Sequence, residues 1–134
     1  MVLLWYIHEK ENIKKAIELL KKSLDIQSSF CGENHPDTAL LYDNLALGYS
    51  AEGDYKKSIE LQQKALDIRL FVFGKNHIDT ATSYSSLAQV YSKEKIIKKH
   101  LNSKKNHLIS DYFFSVKITL ILLLQTKILI PSVF

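Results

Sequence analysis

The sequence predicts an all-α fold, a short solenoid of antiparallel helix hairpins. Three observations carry that prediction. The chain repeats itself at an offset of 42. Gly32, Asn34, His35, Asp37, Thr38 and Ala39 recur as Gly74, Asn76, His77, Asp79, Thr80 and Ala81, and 21 of 42 positions are identical between residues 11–52 and 53–94. A repeat of this length is the signature of a stacked array. Within each unit, apolar residues fall at helical spacing. No period-2 strand pattern interrupts residues 1–94.

Residues 1–31 read as a partial unit that begins inside a first helix. Leu3, Leu4 and Ile7 occupy the slots of Leu45, Ala46 and Tyr49. Lys14, Lys15, Ile17, Glu18 and Leu19 then match Lys56, Lys57, Ile59, Glu60 and Leu61 of the next second helix. Residues 32–73 form the full unit. Its first helix opens at His35-Pro36-Asp37-Thr38, because Pro suits the first helical position and Asp favours the positive end of the dipole. Tyr42, Leu45, Ala46 and Tyr49 then lie on one face. Gly53 supplies a left-handed cap and Asp54 caps the second helix. That helix runs to about Val72, before Gly74. Residues 74–94 are a half unit. Lys95, Ile96 and Ile97 stand where Gly53, Asp54 and Tyr55 would recur.

The spacing Tyr42-x2-Leu45-Ala46-x2-Tyr49, followed by Ser58 and Ala65, resembles the tetratricopeptide repeat. The 42-residue unit, with Gly-x-Asn-His-Pro-Asp-Thr-Ala at 32–39 and Lys-Ala-Leu-Asp-Ile-Arg at 64–69, looks like the kinesin-light-chain type. The resemblance covers roughly 1–94. It implies a right-handed superhelix whose units are stabilised chiefly by their neighbours. About three units are normally needed for stability, so the chain reads as a fragment or truncated member of a longer array.

Composition is that of a soluble globular chain. It has 134 residues, 46% hydrophobic and 24% charged, with four Gly and two Pro, and a mean hydropathy of −0.07. That size is one domain at most. One cysteine excludes a disulfide framework and a multi-cysteine zinc site, and fits a reducing compartment. Met1 to His8 lacks a basic n-region, which argues against a secretory signal. The net charge of +4 hides a split. Residues 1–92 hold ten Lys/Arg and twelve Asp/Glu, whereas 93–134 hold eight Lys and two acids.

The basic character therefore belongs to the C-terminal part. Residues 95–111 read as a Lys-rich linker or helix, and 112–134 as an apolar tail. A membrane span needs about 20 mostly apolar residues. The tail has 23, but Lys117 and Lys127 cut its charge-free run to nine. Three readings stay open: a membrane anchor with snorkelling lysines, a helix covering the end of the solenoid, and sequence without selected function. Nucleic-acid binding through the lysines is not expected, since no aromatic interleaves them before Tyr112.

No catalytic constellation is present, and no cofactor or metal is expected. The glycines lie apart, which excludes a phosphate-cradling loop. Cys31 and His35 suggest a nucleophile or metal pair, but Cys31 matches Phe73, so a buried apolar slot is the better reading. His35 and His77 recur one repeat apart, too far to share a zinc ion; they read as junction residues at helix starts. Tyr42, Tyr49, Tyr84 and Tyr91 read as core. Glu18, Asp25, Glu60 and Asp67 read as solvated partners of Lys15, Lys22, Lys57 and Lys64.

The resemblance implies that first helices line a concave groove. The matching positions are Leu40, Asp43, Asn44, Leu47 and Ser50, then Thr82, Ser85, Ser86, Gln89 and Ser92. These positions largely escape the strict repetition of the packing residues. Asn44 stands out, because an amide can bond a peptide backbone with both donor and acceptor. The expected function is a non-enzymatic, cytoplasmic scaffold or adaptor that holds a peptide or partner helix and takes no small-molecule substrate. The alternative is a tail-anchored membrane adaptor with 112–134 in the bilayer.

Overall fold

A computed structural model describes residues 2–129, with side chains through Gln125. It contains α1 (Val2–Cys31), α2 (Pro36–Glu52), α3 (Tyr55–Phe73) and α4 (Ile78–Leu129), and no strand among the described residues. The expected all-α helical-repeat class is what is observed. By contact the chain divides between Glu94 and Lys95 into two compact units.

The helices stop where the backbone can turn left-handed. Gly32, Gly53 and Gly74 have φ of 81°, 87° and 80°, and no other residue type takes positive φ among the described residues. Each glycine immediately follows a helix end. At Gly53, its own N–H reaches the Ser50 carbonyl at 3.1 Å and the Asp54 N–H reaches the Tyr49 carbonyl at 2.9 Å. The last turn of α2 is thereby satisfied. Asp54 then accepts from the Lys57 N–H at 3.2 Å and opens α3.

In sequence the N-terminal partial unit reads as the end of a first helix followed by residues that match a second helix. Instead α1 is one continuous helix of 30 residues. Glu11 occupies the place of Gly53, and a side chain at that position makes the left-handed conformation costly. The same logic applies after Glu94, where Lys95-Ile96 leaves α4 unbroken.

Within the first unit, α1 and α2 pack through Ile17, Leu45 and Tyr49, with Ile13, Leu20, Leu24 and Leu61 around them. A Cβ on Gly48 would lie 2.8 Å from Ile17 Cγ1, so only a residue without a side chain lets α1 come this close. α2 and α3 pack through Ala39, Ala65 and Ile68, bordered by Tyr42. Ser58 Oγ donates to the Ala46 carbonyl at 2.8 Å. Ala39, Ala46, Ser58 and Ala65 all have 0% exposure, which marks a close helix–helix approach. Burying a side chain such as Ile17 or Leu45 is worth roughly 1.5–3 kcal/mol.

Two expectations about burial need correction. Cys31 is exposed, because its helix ends there without another element over it. Tyr49 is buried, but Tyr84 and Tyr91 are 52% and 51% exposed. The second helix that would cover them is missing from the third unit. Every described residue from 95 to 125 is exposed.

The second unit is helical through Leu129 and rich in exposed apolar side chains. The most apolar window within Ile78–Gln125 has a mean hydropathy of 1.6 and is wholly exposed. By length and composition it can cross a membrane. Of the apolar tail, the Lys127 side chain and residues 130–134 lie outside the described residues.

The turn at Gly53 generates a test. Gly53→Ala places a Cβ in the left-handed region and is expected to destabilise the first unit by about 1–2 kcal/mol. Urea unfolding followed by far-UV circular dichroism reads this directly. An unchanged midpoint would remove Gly53 as the determinant of the hairpin.

Candidate functional site

The candidate face consists of two stripes, one on α2 and one on α4. Both helices start in the same way. His35 Nδ1 accepts from the Asp37 N–H, and His77 Nδ1 accepts from the Asp79 N–H, each at 3.1 Å. Thr38 Oγ1 donates to the Gly32 carbonyl at 3.1 Å, and Thr80 Oγ1 to the Gly74 carbonyl at 2.8 Å. The two histidines are thus capping groups, as their position at the junction suggests. The matched starts set matched registers, so Asn44 and Ser86 occupy equivalent turns.

On α2, Leu40, Asn44 and Leu47 are exposed and Ser50 is half-buried. On α4, Thr82, Ser85, Gln89 and Ser92 are exposed and Ser86 is half-buried. Thr82 Oγ1 is occupied by the Ile78 carbonyl of its own helix at 3.0 Å. Leu40 and Leu47 are 52% and 60% exposed, large apolar side chains one turn to either side of Asn44.

Asp43, the remaining expected groove position on α2, differs from Leu40, Asn44 and Leu47 in being half-buried. Its Oδ2 lies 2.6 Å from Arg69 Nη1, with the two side chains only 16% and 9% exposed. Arg69 also donates to Ser83 Oγ. One guanidinium therefore ties α2, α3 and α4 together. Asp43 Oδ1 is buried without a hydrogen-bond partner. Burial pushes the Asp43 carboxyl above its ordinary value of 3.8, and the Arg69 charge only partly offsets this.

Sequence reasoning missed Arg69 and Ser83. A signal was present: Asp43, Arg69 and Ser83 stand where the other units carry Ser85, Gln27 and Leu41. Linked departures from an otherwise repeating pattern mark a local contact, but spacing alone does not reveal which partners meet.

On the side of α3 and α1, a cleft of about 360 Å³ is lined by Lys21, Leu24, Tyr42, Tyr49, Lys57 and Lys64 among others. Three lysines of this cleft lie over tyrosine rings. Lys57 and Lys21 lie over Tyr49 at 5.0 and 5.6 Å, and Lys64 lies over Tyr42 at 5.5 Å. Asp67 accepts from Gln63 Nε2 at 3.0 Å. The Tyr49 hydroxyl beside Lys21 holds its ammonium above the ordinary value. Among the described residues no group of three or more His, Cys, Asp or Glu is placed to hold a metal ion.

The family described as tetratricopeptide repeat matches residues 5–70 and 41–95. The chain belongs to this family. Its members are protein–protein interaction scaffolds, generally without enzymatic activity, and bind protein partners. The clustered mitochondria protein homolog of Aedes aegypti is similar to it, 40% identical over 50 residues. Those residues are 37% of this chain and 4% of that protein, so the chain spans a small part of the relative's length.

The state of Asp43 has a measurable consequence. Its carboxyl keeps its proton to higher pH in the folded than in the unfolded chain. Folded molecules thus bind more protons just above pH 3.8, and the Asp43 contribution to stability falls as pH rises through that window. Urea midpoints of the wild type minus those of Asp43→Asn are expected to decline with rising pH over that range. A difference that rises instead would show that Arg69 dominates and holds the carboxylate ionised.

Proposed function

We propose that the repeats act as an adaptor that holds an extended peptide or partner helix along the α2 and α4 stripes. The observation that supports this most directly is the arrangement around Asn44. An exposed amide lies between exposed Leu40 and Leu47, with hydroxyls and an amide at the matching turns of α4. A side-chain amide offers both donor and acceptor to a backbone, and flanking leucines offer apolar contact. The Arg69 bridge keeps the two helices in fixed relation, so the face is preorganised. The junction at 32–39 and the segment at 64–69 support the kinesin-light-chain-like type within the family, and the low cysteine content supports a cytoplasmic location. The unit boundaries 1–31, 32–73 and 74–94, followed by 95–111 and 112–134, belong to the same reading.

The test is selection of peptides from a random library on the full chain. Asn44→Ala is expected to weaken the selected peptides about tenfold, or 1.4 kcal/mol, with unchanged circular dichroism. Lys56→Ala, at an exposed position of α3, is expected to leave binding intact. The reverse pattern would place the binding face elsewhere.

The second reading is a tail-anchored adaptor. It is favoured by the exposed apolar window of α4 and by six lysines at 93, 95, 98, 99, 104 and 105 ahead of it. Such a basic flank suits the cytoplasmic side of a membrane. The full chain is expected to float with lipid vesicles and resist alkaline carbonate, whereas a chain ending at Ser110 does neither. Equal behaviour of the two would end this reading.

A further inference from the structure

The internal repeat allows each interface to be compared with its own copies, and one comparison is informative. The α2 face that meets α3 is formed by Ala39, Tyr42, Ala46 and Tyr49. Their counterparts on α4 are Ala81, Tyr84, Ala88 and Tyr91, all exposed. The α3 face that meets α2 is formed by Ser58, Leu61, Ala65 and Ile68. Their counterparts on α1 are Ala16, Leu19, Ser23 and Ile26, all exposed as well. Ala39, Ala46, Ser58 and Ala65 are 0% exposed inside the hairpin, so what is buried there is open at both ends of the same unit.

The opposite sides of these helices are occupied. Ile17 of α1 is buried against α2, and Ser83 of α4 is held by Arg69 of α3. Each terminal helix is therefore packed on one side and bare on the other. The two bare faces are the two halves of one interface whose geometry the α2–α3 hairpin displays. They are unlike each other: one carries tyrosines over alanines, the other leucine and isoleucine beside Ala16 and Ser23. Neither is self-complementary in the way a twofold dimer requires.

We propose that the occupant of each face is a second copy of this chain, joined head to tail. α1 of one copy packs on α4 of the next as α3 packs on α2 within each copy. Ala16 of one molecule then lies at Ala88 of its neighbour, as Ser58 lies at Ala46. The small residues at both positions permit the close approach. Because the contact is heterologous, one free face remains at each end and the assembly grows as an open row of repeats. This supplies the neighbouring units that a solenoid requires and extends the α2 and α4 stripes from copy to copy.

The test uses two differently tagged full-length chains in mild detergent, which suppresses association through the apolar tail. Both carry Cys31→Ser. One carries Ala88→Cys and the other Ala16→Cys, at exposed helix positions that leave the fold intact. Oxidation of the mixture is expected to give a disulfide-linked dimer containing both tags. That product is expected to disappear when Tyr84→Arg is added to the Ala88→Cys chain. Same-tag dimers alone, or no cross-linked product, would overturn the proposal. As a second readout, Ala16→Arg and Ala88→Arg chains are each expected to sediment as monomers alone and to form dimers, but nothing larger, when mixed. Growth beyond dimers in that mixture would also overturn it.

Discussion

The architecture depends on where the backbone can reverse direction. A left-handed turn is open to glycine and costly for other L-residues. This chain places such glycines at 32, 53 and 74, directly after the ends of α1, α2 and α3. The equivalents of Gly53 at Glu11 and Lys95 carry side chains, and there the helices run on. The result is one closed hairpin, α2–α3, between two helices that each lack a covering partner on one side.

Close packing follows from small residues at the crossing points. Ala46 and Ser58 bring α2 and α3 together, and Gly48 admits Ile17 of α1. Charge then links α4 to the same frame. Arg69 reaches Asp43 and Ser83 from the middle helix. The bridge holds the two stripes of candidate binding residues in register, although its own members have little exposure. Asp43 is thus held in an ion pair while Asn44 is exposed, although they are adjacent in the chain.

In the proposed function these features act through rigidity. A scaffold that presents a preformed stripe loses little entropy when a peptide binds. A membrane anchor or a chain of copies would add effective concentration without altering the stripe. The exposed apolar faces of the first unit and the exposed apolar length of α4 are separate properties, set by different residues.

Much of this was legible in the sequence. The 42-residue repeat, His35-Pro36-Asp37 at one helix start, Gly53-Asp54 at the turn and the i, i+3, i+4, i+7 tyrosine face together determine an all-α repeat of known family. These signals are local or periodic, so they survive without coordinates. The repeat pattern also misled, because identical slots need not have identical surroundings. Tyr84 shares the slot of Tyr42 but not a covering helix, and Cys31 shares the slot of Phe73 but is exposed where Phe73 is half-buried. The absence of Gly at 11 was visible, yet its consequence, one unbroken α1, required the backbone. The Arg69 bridge joins residues 26 and 14 positions apart on three helices. Only tertiary packing decides such a contact, because it depends on which faces meet rather than on which residues recur.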